Sequence, residues 1–192
     1  AMTDAQLDTI ASLRLGALKL EGLDIDTDLG WELLIALAAG GRASLDDIED
    51  YLDSDNTATG QQSAAHARAA LPGFDAKLVA WKSVWDHDGE PNLIVRATGL
   101  GFQRSLDTTV FEPFVPLYFE NIERVWGTRS YAIAENLVEG YFPAALANEE
   151  LAQATRAYLE SHSPEAPLRR LVVEALAGTE RSLRAQARDA QD

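Results

Sequence analysis

Leu168-Arg169-Arg170-Leu171-Val172-Val173-Glu174, followed by Gly178-Thr179-Glu180-Arg181-Ser182-Leu183-Arg184-Ala185, is the stretch on which the reading of this chain turns. Leu168, Leu171, Val172, Ala175 and Leu176 recur at the spacing of one helical face. Gly178 suits a helix C-terminus, because glycine accepts positive φ. Thr179 suits a new N-cap, because its hydroxyl accepts an orphan amide. The expectation is two short helices joined at Gly178, with Glu180 and Arg184 paired one turn apart, before an acidic end at Asp189 and Asp192.

Helical signals run through the rest of the chain. Trp31, Leu34, Ile35 and Ala38 form one face, closed by Gly40-Gly41. Ser44 with Asp47 makes a capping-box start for Leu45, Ile48 and Leu52. Residues 57–71 are alanine-rich and stop at Pro72-Gly73. Leu78, Trp81 and Trp85 follow, ending near Gly89, and Pro91 suits the first turn of the next helix. Phe111, Phe114, Val115, Tyr118, Ile122, Val125 and Trp126 make the longest apolar stripe. Pro113 and Pro116 are tolerable only in a first turn, which starts that helix near Glu112. Tyr131, Ala134, Val138, Tyr141 and Phe142 form another face. Residues 149–159 give one more, and residues 161–167 are the last linker.

Leu93-Ile94-Val95 and Val110-Phe111 are too short for strands, and each sits inside a helical pattern. About ten helices with short connections imply an all-α fold: an α-α superhelix of antiparallel helix pairs, with degenerate HEAT/armadillo-like repeats. It is expected to form a single helical domain over residues 1–192. The first helix carries Leu7, Ile10, Leu13, Leu15 and Leu18 on more than one face. That is more leucine than a one-sided surface helix needs, and it marks this region as part of an interface.

Composition bounds the function. At 192 residues, 46% hydrophobic and 24% charged, the chain reads as an ordinary globular protein with room for a real core. No apolar run approaches the ~18 residues that span a bilayer, and no signal peptide opens the chain. The net charge of −15 argues against a nucleic-acid partner, which needs clustered Lys and Arg. A strongly acidic surface also keeps a protein dispersed. Zero cysteines fit a reducing compartment, and a bacterial cytoplasm is the simplest location. Ala1 before Met2 reads as a cloning remnant, so the chain reads as an excised fragment.

The search for chemistry returns little. A zinc peptidase needs His-Glu-x-x-His on one helix, so that two imidazoles face one metal and the Glu polarises its water. The histidines here, His66, His87 and His162, are far apart. Asp86-His87-Asp88 is the best local metal candidate, and it equally suits a hydrated loop. No Gly-x-Ser-x-Gly elbow supports a nucleophile. Gly99-Leu100-Gly101 lacks the strand and the continuation of a phosphate loop. The run Asp46-Asp47-Ile48-Glu49-Asp50 reads as a wet helix face. The four tryptophans fall on apolar faces and read as core. No catalytic residue, metal ligand or cofactor is assigned to this chain.

The closing run quoted above resembles the end of bacterial, actinobacterial-type aminopeptidase N, whose C-terminal domain is similar to that of the endoplasmic-reticulum aminopeptidases. Further stretches resemble the family in the same order. They are Thr27-Asp28-Leu29-Gly30-Trp31-Glu32-Leu33-Leu34, Asp55-Asn56-Thr57-Ala58-Thr59-Gly60, Lys77-Leu78-Val79-Ala80-Trp81 and Gly101-Phe102-Gln103. Pro116-Leu117-Tyr118-Phe119 with Val125-Trp126, and Ala134-Glu135 with Tyr141-Phe142-Pro143, continue the series. Gly30 departs from the pattern, since a larger and often basic residue is expected before the tryptophan.

The resemblance implies a non-catalytic C-terminal domain of a zinc aminopeptidase, with metal, general base and N-terminus-recognising carboxylates all upstream. Such a domain covers the catalytic domain, encloses a chamber and helps admit and position peptides for removal of the N-terminal residue. Its partners would be that upstream catalytic domain and peptide substrates. Candidate peptide contacts are Arg104, Arg124, Arg169 and Arg170, whose guanidinium groups suit a peptide carboxylate, with Phe102 and Tyr118 as apolar wall. The plain alternative for each arginine is a solvated or intramolecular ion pair. A free-standing helical-repeat scaffold that binds another protein shares the same helix grammar and is the alternative function. A native reading frame that continues upstream into His-Glu-x-x-His separates the two.

Overall fold

The computed structural model describes residues 2–190. Ala1, read as a cloning remnant, and Asp192, read as part of an acidic end, lie outside the described residues. The described residues form ten α-helices and one 3-10 turn, without a strand. The helices are α1 (Asp4–Arg14), α2 (Thr27–Ala39), α3 (Leu45–Ser54), α4 (Ala58–Ala70) and α5 (Phe74–Trp85), then α6 (Asn92–Phe102), α7 (Phe114–Thr128), α8 (Tyr131–Tyr141), α9 (Glu149–Ser161) and α10 (Ala166–Asp189). The fold is all-α, as the periodicities require. Among the described residues no helix is long and apolar enough to cross a membrane.

The helix starts follow from local chemistry. Asp26, Thr57 and Asn148 each accept a backbone amide as N-cap of α2, α4 and α9. Ser44 and Asp47 close the expected capping box on α3. Pro91 stands one residue ahead of α6, at its N-cap. Helix α7 begins at Phe114, two residues later than expected, because a 3-10 turn at Thr108–Phe111 precedes it. Pro113 is its N-cap and Pro116 falls in the first turn, where the missing amide is no loss.

One expectation fails at the end of the chain. Helix α10 runs unbroken from Ala166 to Asp189, through Gly178. Thr179 is buried in mid-helix and donates its hydroxyl to the Ala175 carbonyl at 3.1 Å. Glu180 does not turn to Arg184. It accepts from Arg156 of α9 at 2.8 Å. An interior glycine costs a helix about 1 kcal/mol relative to alanine. Burial of Thr179 and the Arg156–Glu180 pair, both just beyond Gly178, offset that.

Contacts divide the chain into two compact units, Ala1–Asp107 and Thr108–Asp192. In the first, each helix from α3 onward packs on the next, as does α1 on α2, and α2 also packs on α4 and α4 on α6. Packing on the next helix and on the next but one is the pattern of stacked helix pairs. Trp31, Leu34, Ile35, Ala38, Ile48, Leu52, Ala64, Ala67 and Ala70 make a core between α2, α3 and α4. Trp31 donates its indole N–H to Asp55 at 2.8 Å, and its ring meets Tyr51 edge-on at 4.7 Å. Gly30 has a reason here: a Cβ there would lie 2.0 Å from the Tyr51 hydroxyl oxygen. The Arg14 guanidinium lies over the same ring, 5.1 Å from its centre.

The tightest contact in this unit is between α4 and α6. A Cβ on Gly101 would lie 2.1 Å from the His66 carbonyl oxygen and 2.8 Å from the Ala69 Cβ. Lys77 of α5 is fully buried, and its ammonium donates to the carbonyls of Ala69 (2.7 Å), Gly101 (3.1 Å) and Arg104 (2.7 Å). Burial lowers its pKa to about 7, while carbonyls at two helix C-termini favour the charged form. Beside it, the His66 Nε2 is buried without a hydrogen-bond partner. Burial first, then the charges of Arg104 and Lys77, lower the His66 pKa to about 4.

In the second unit the stripe Phe111, Phe114, Tyr118, Ile122 and Val125 is completely buried. Here α7 packs on α8 and α9, and α10 packs on α8 and α9. The Tyr118 hydroxyl donates to the Val138 carbonyl at 2.8 Å, and its ring meets Phe142 edge-on.

Two outcomes follow. Gly101→Ala should destabilise the chain by about 1–3 kcal/mol, because backbone on α4 must retreat; a shifted denaturant midpoint at unchanged slope measures it. For His66, the folded side chain stays neutral down to about pH 4, whereas the unfolded one titrates near 6.5. The unfolded state therefore binds an extra proton in that window, and stability should fall as pH drops from 6.5 toward 4. His66→Gln should flatten that part of a plot of melting temperature against pH.

Candidate functional site

The six residues expected to meet peptide fall into different environments. Phe102 and Tyr118 are fully buried. Phe102 stands 5.9 Å from the Trp81 ring in the first unit. Tyr118 lies on the buried stripe of α7. Neither is an exposed apolar wall, and that expectation is corrected. The reason was visible in the periodicity: Tyr118 shares its face with Phe114, Ile122 and Val125, all of which turn inward.

The four arginines are exposed. Arg124 donates to the side-chain oxygen of Asn121 at 2.9 Å. Arg169 donates to the Leu159 carbonyl at 3.3 Å, tying the start of α10 to α9. Arg170 pairs with Glu174 at 3.1 Å and also bonds to Tyr131. Arg104 belongs to the first unit, where its carbonyl accepts from Lys77. Arg169 and Arg170 are thus neighbours at the start of α10, and Arg170, through its partner Glu174, lies beside a groove.

That groove, of about 470 Å³, runs between α8 and α10. Its floor is Val138, Phe142 and Leu171, and its rim carries Glu139, Glu174 and Arg181. The seam continues on the surface: Tyr131 donates to Glu135 at 3.0 Å, and Arg170 joins Tyr131 to Glu174. Three glutamates thus gather around one arginine. Burial, then the charges of Glu135 and Glu174, raise the Glu139 pKa, with Arg170 opposing them. Chemically this is an apolar trough with an acidic lip, suited to an apolar side chain next to a positive charge. Sequence reasoning missed it. The one available signal was Glu135 and Glu139 a helical turn apart, which reads equally well as a solvated face.

A second trough, of about 290 Å³, lies between α4, α5 and α6. Ala65, Ala80 and Ile94 line it, and Val79 stands exposed at its edge. Arg68 on its rim is engaged by Glu49 through two bonds of 2.6 Å. The histidines do not converge. His66 is in α4, His87 follows the end of α5, and His162 stacks on Tyr158 with ring centres 4.7 Å apart. Among the described residues no group of three or more His, Asp or Glu could hold a metal ion.

Comparison with known proteins supplies what the geometry leaves open. The model of the ERAP1-like C-terminal domain matches residues 3–181, through both units. The chain belongs to the ERAP1-like C-terminal domain family. Aminopeptidase N of Streptomyces lividans is 40% identical over 190 residues, which is 99% of this chain. The chain spans only 22% of that relative's length. For this family member the stretches that carry the resemblance are those that meet in space. Trp31 bonds to Asp55, Lys77 to Gly101, and Tyr118 packs on Phe142.

The acidic lip gives a signed test. Because the folded Glu139 pKa is raised above 4.5, the stabilisation from this group is present at low pH and lost as pH rises through the folded value. Glu139→Gln should therefore stabilise the chain at pH 7, by less than about 1 kcal/mol at a solvated rim. The gain should vanish below about pH 4, where both states carry the neutral acid. Denaturant titrations at the two pH values measure it.

Proposed function

We propose that this chain is the non-catalytic C-terminal domain of a zinc aminopeptidase of the aminopeptidase N type, its two units together making up that domain. It encloses the catalytic chamber and helps admit and position peptides for removal of their N-terminal residue. One observation carries the reading: essentially the whole chain aligns with an aminopeptidase N at 40% identity, yet it accounts for 22% of that protein. Zinc, general base and the carboxylates that read the peptide N-terminus belong to the remainder, in a cytoplasmic enzyme.

Within this reading, the chain supplies surface. Stacked helix pairs present side chains from successive helix ends to an extended ligand. The α8–α10 trough, with Glu139, Glu174 and Arg181 at its lip, offers a place for a side chain distal to the scissile bond. Arg104, Arg124 and Arg169 are exposed contacts available to the same peptide.

The isolated chain should neither hydrolyse aminoacyl anilides nor retain stoichiometric zinc, whereas the full-length native polypeptide should do both and lose activity on chelation. Elemental analysis and a chromogenic assay on the two proteins decide it. Peptidase activity with one tightly held zinc in the isolated chain overturns the reading.

A further inference from the structure

We propose that residues 15–25, which connect α1 to α2, are the apolar surface on which this domain docks against the preceding part of the polypeptide. The inference rests on the proposed aminopeptidase reading. Leu15, Leu18, Leu20, Leu23 and Ile25 are 77%, 36%, 51%, 41% and 38% exposed. These are five of the thirteen large apolar side chains exposed among the described residues, and the others are dispersed along the chain. Scattered exposed leucines need no explanation, but a contiguous patch marks an interface. Leu18, Leu20, Leu23 and Ile25 also line one shallow groove of about 380 Å³.

The segment is held in place. Leu7 of α1 is buried against Gly40, and Arg42 reaches Asp4 at 3.0 Å and Asp8 at 3.5 Å. The Leu18 amide donates to the Ser12 carbonyl at 2.9 Å, and Leu23 to Leu20 at 3.1 Å. The patch is therefore presented by an anchored helix.

Its occupant follows from the length of chain outside the structure. More than three quarters of the aminopeptidase N relative lies beyond the aligned region, and the family is a C-terminal domain. The remaining polypeptide joins upstream, on the side of α1, an eleven-residue helix only about 16 Å long. Glu21, Asp24, Asp26 and Asp28 flank the patch against Arg14 and Lys19. The matching face is therefore apolar at its centre and basic at its rim.

Hydroxyl-radical footprinting of the full-length polypeptide and of the 192-residue chain tests this. Leu18, Leu20 and Leu23 should be labelled several-fold less in the full-length protein, and equal labelling overturns the proposal. The triple variant Leu18→Ser, Leu20→Ser, Leu23→Ser should leave the melting of the chain alone unchanged and lower that of the full-length protein. An equal change in both overturns it. So does concentration-dependent protection in the chain alone, which would make a second copy the occupant. Aminopeptidase activity is read on the same samples. An active full-length enzyme with an open segment defeats the docking surface alone, and a full-length polypeptide without zinc-dependent activity defeats the reading beneath it.

Discussion

The first unit depends on the ammonium of Lys77. Carbonyls in the last turns of α4 and α6, those of Ala69 and Gly101, meet at one buried place. Left unpaired, each would carry a desolvation penalty of about 1–3 kcal/mol. A lysine has three donors and no acceptor, and Lys77 bonds both of these carbonyls and that of Arg104, just beyond α6, at once. The close approach that creates the problem is set by Gly101 against the His66 carbonyl. Small residues on α4 and α6 bring two backbones together, and the next helix delivers the cation that makes the arrangement tolerable. Burial of a charge is unfavourable in itself, so the site works only while all three acceptors stay in place. That couples α4, α5 and α6 into one block.

Much of this was legible in the sequence at the level of single helices. The capping box at Ser44, the glycine stop after Ala39 and the buried face of α7 all follow from short-range chemistry. What failed did so where distant packing overrode local preference. Gly178 and Thr179 have the composition of a helix junction, but Thr179 is buried and Glu180 is drawn to Arg156 of α9. No local rule contains that partner. Gly30 departs from the family pattern, and only the fold shows that the Tyr51 hydroxyl fills the space a side chain would need. No local rule marks Lys77 as a buried cation, because its three acceptors lie eight to 27 positions away.

The stretches through which the chain resembles its family have a shared physical role. Asp55 takes the Trp31 indole through one carboxylate oxygen and the Thr57 hydroxyl through the other. Thr57 in turn caps α4 through the Gly60 amide. One motif thus fixes the tryptophan of a neighbouring helix and starts its own. Trp81 meets Phe102, and Phe119 meets Tyr158. These residues hold helices in register.

Charge balance shapes this surface. Asp and Glu number 31 against 16 Lys and Arg, so several guanidinium groups find a carboxylate within reach. Arg42 takes Asp4 and Asp8, Arg68 takes Glu49, Arg156 takes Glu149 and Glu180, and Arg170 takes Glu174. An incoming carboxylate meets this excess of negative charge. An incoming cation gains from the same excess. The surfaces left to this chain are therefore apolar with acidic margins, as in the α8–α10 trough and in residues 15–25. What binds them is selected by its apolar side chains first and its positive charge second.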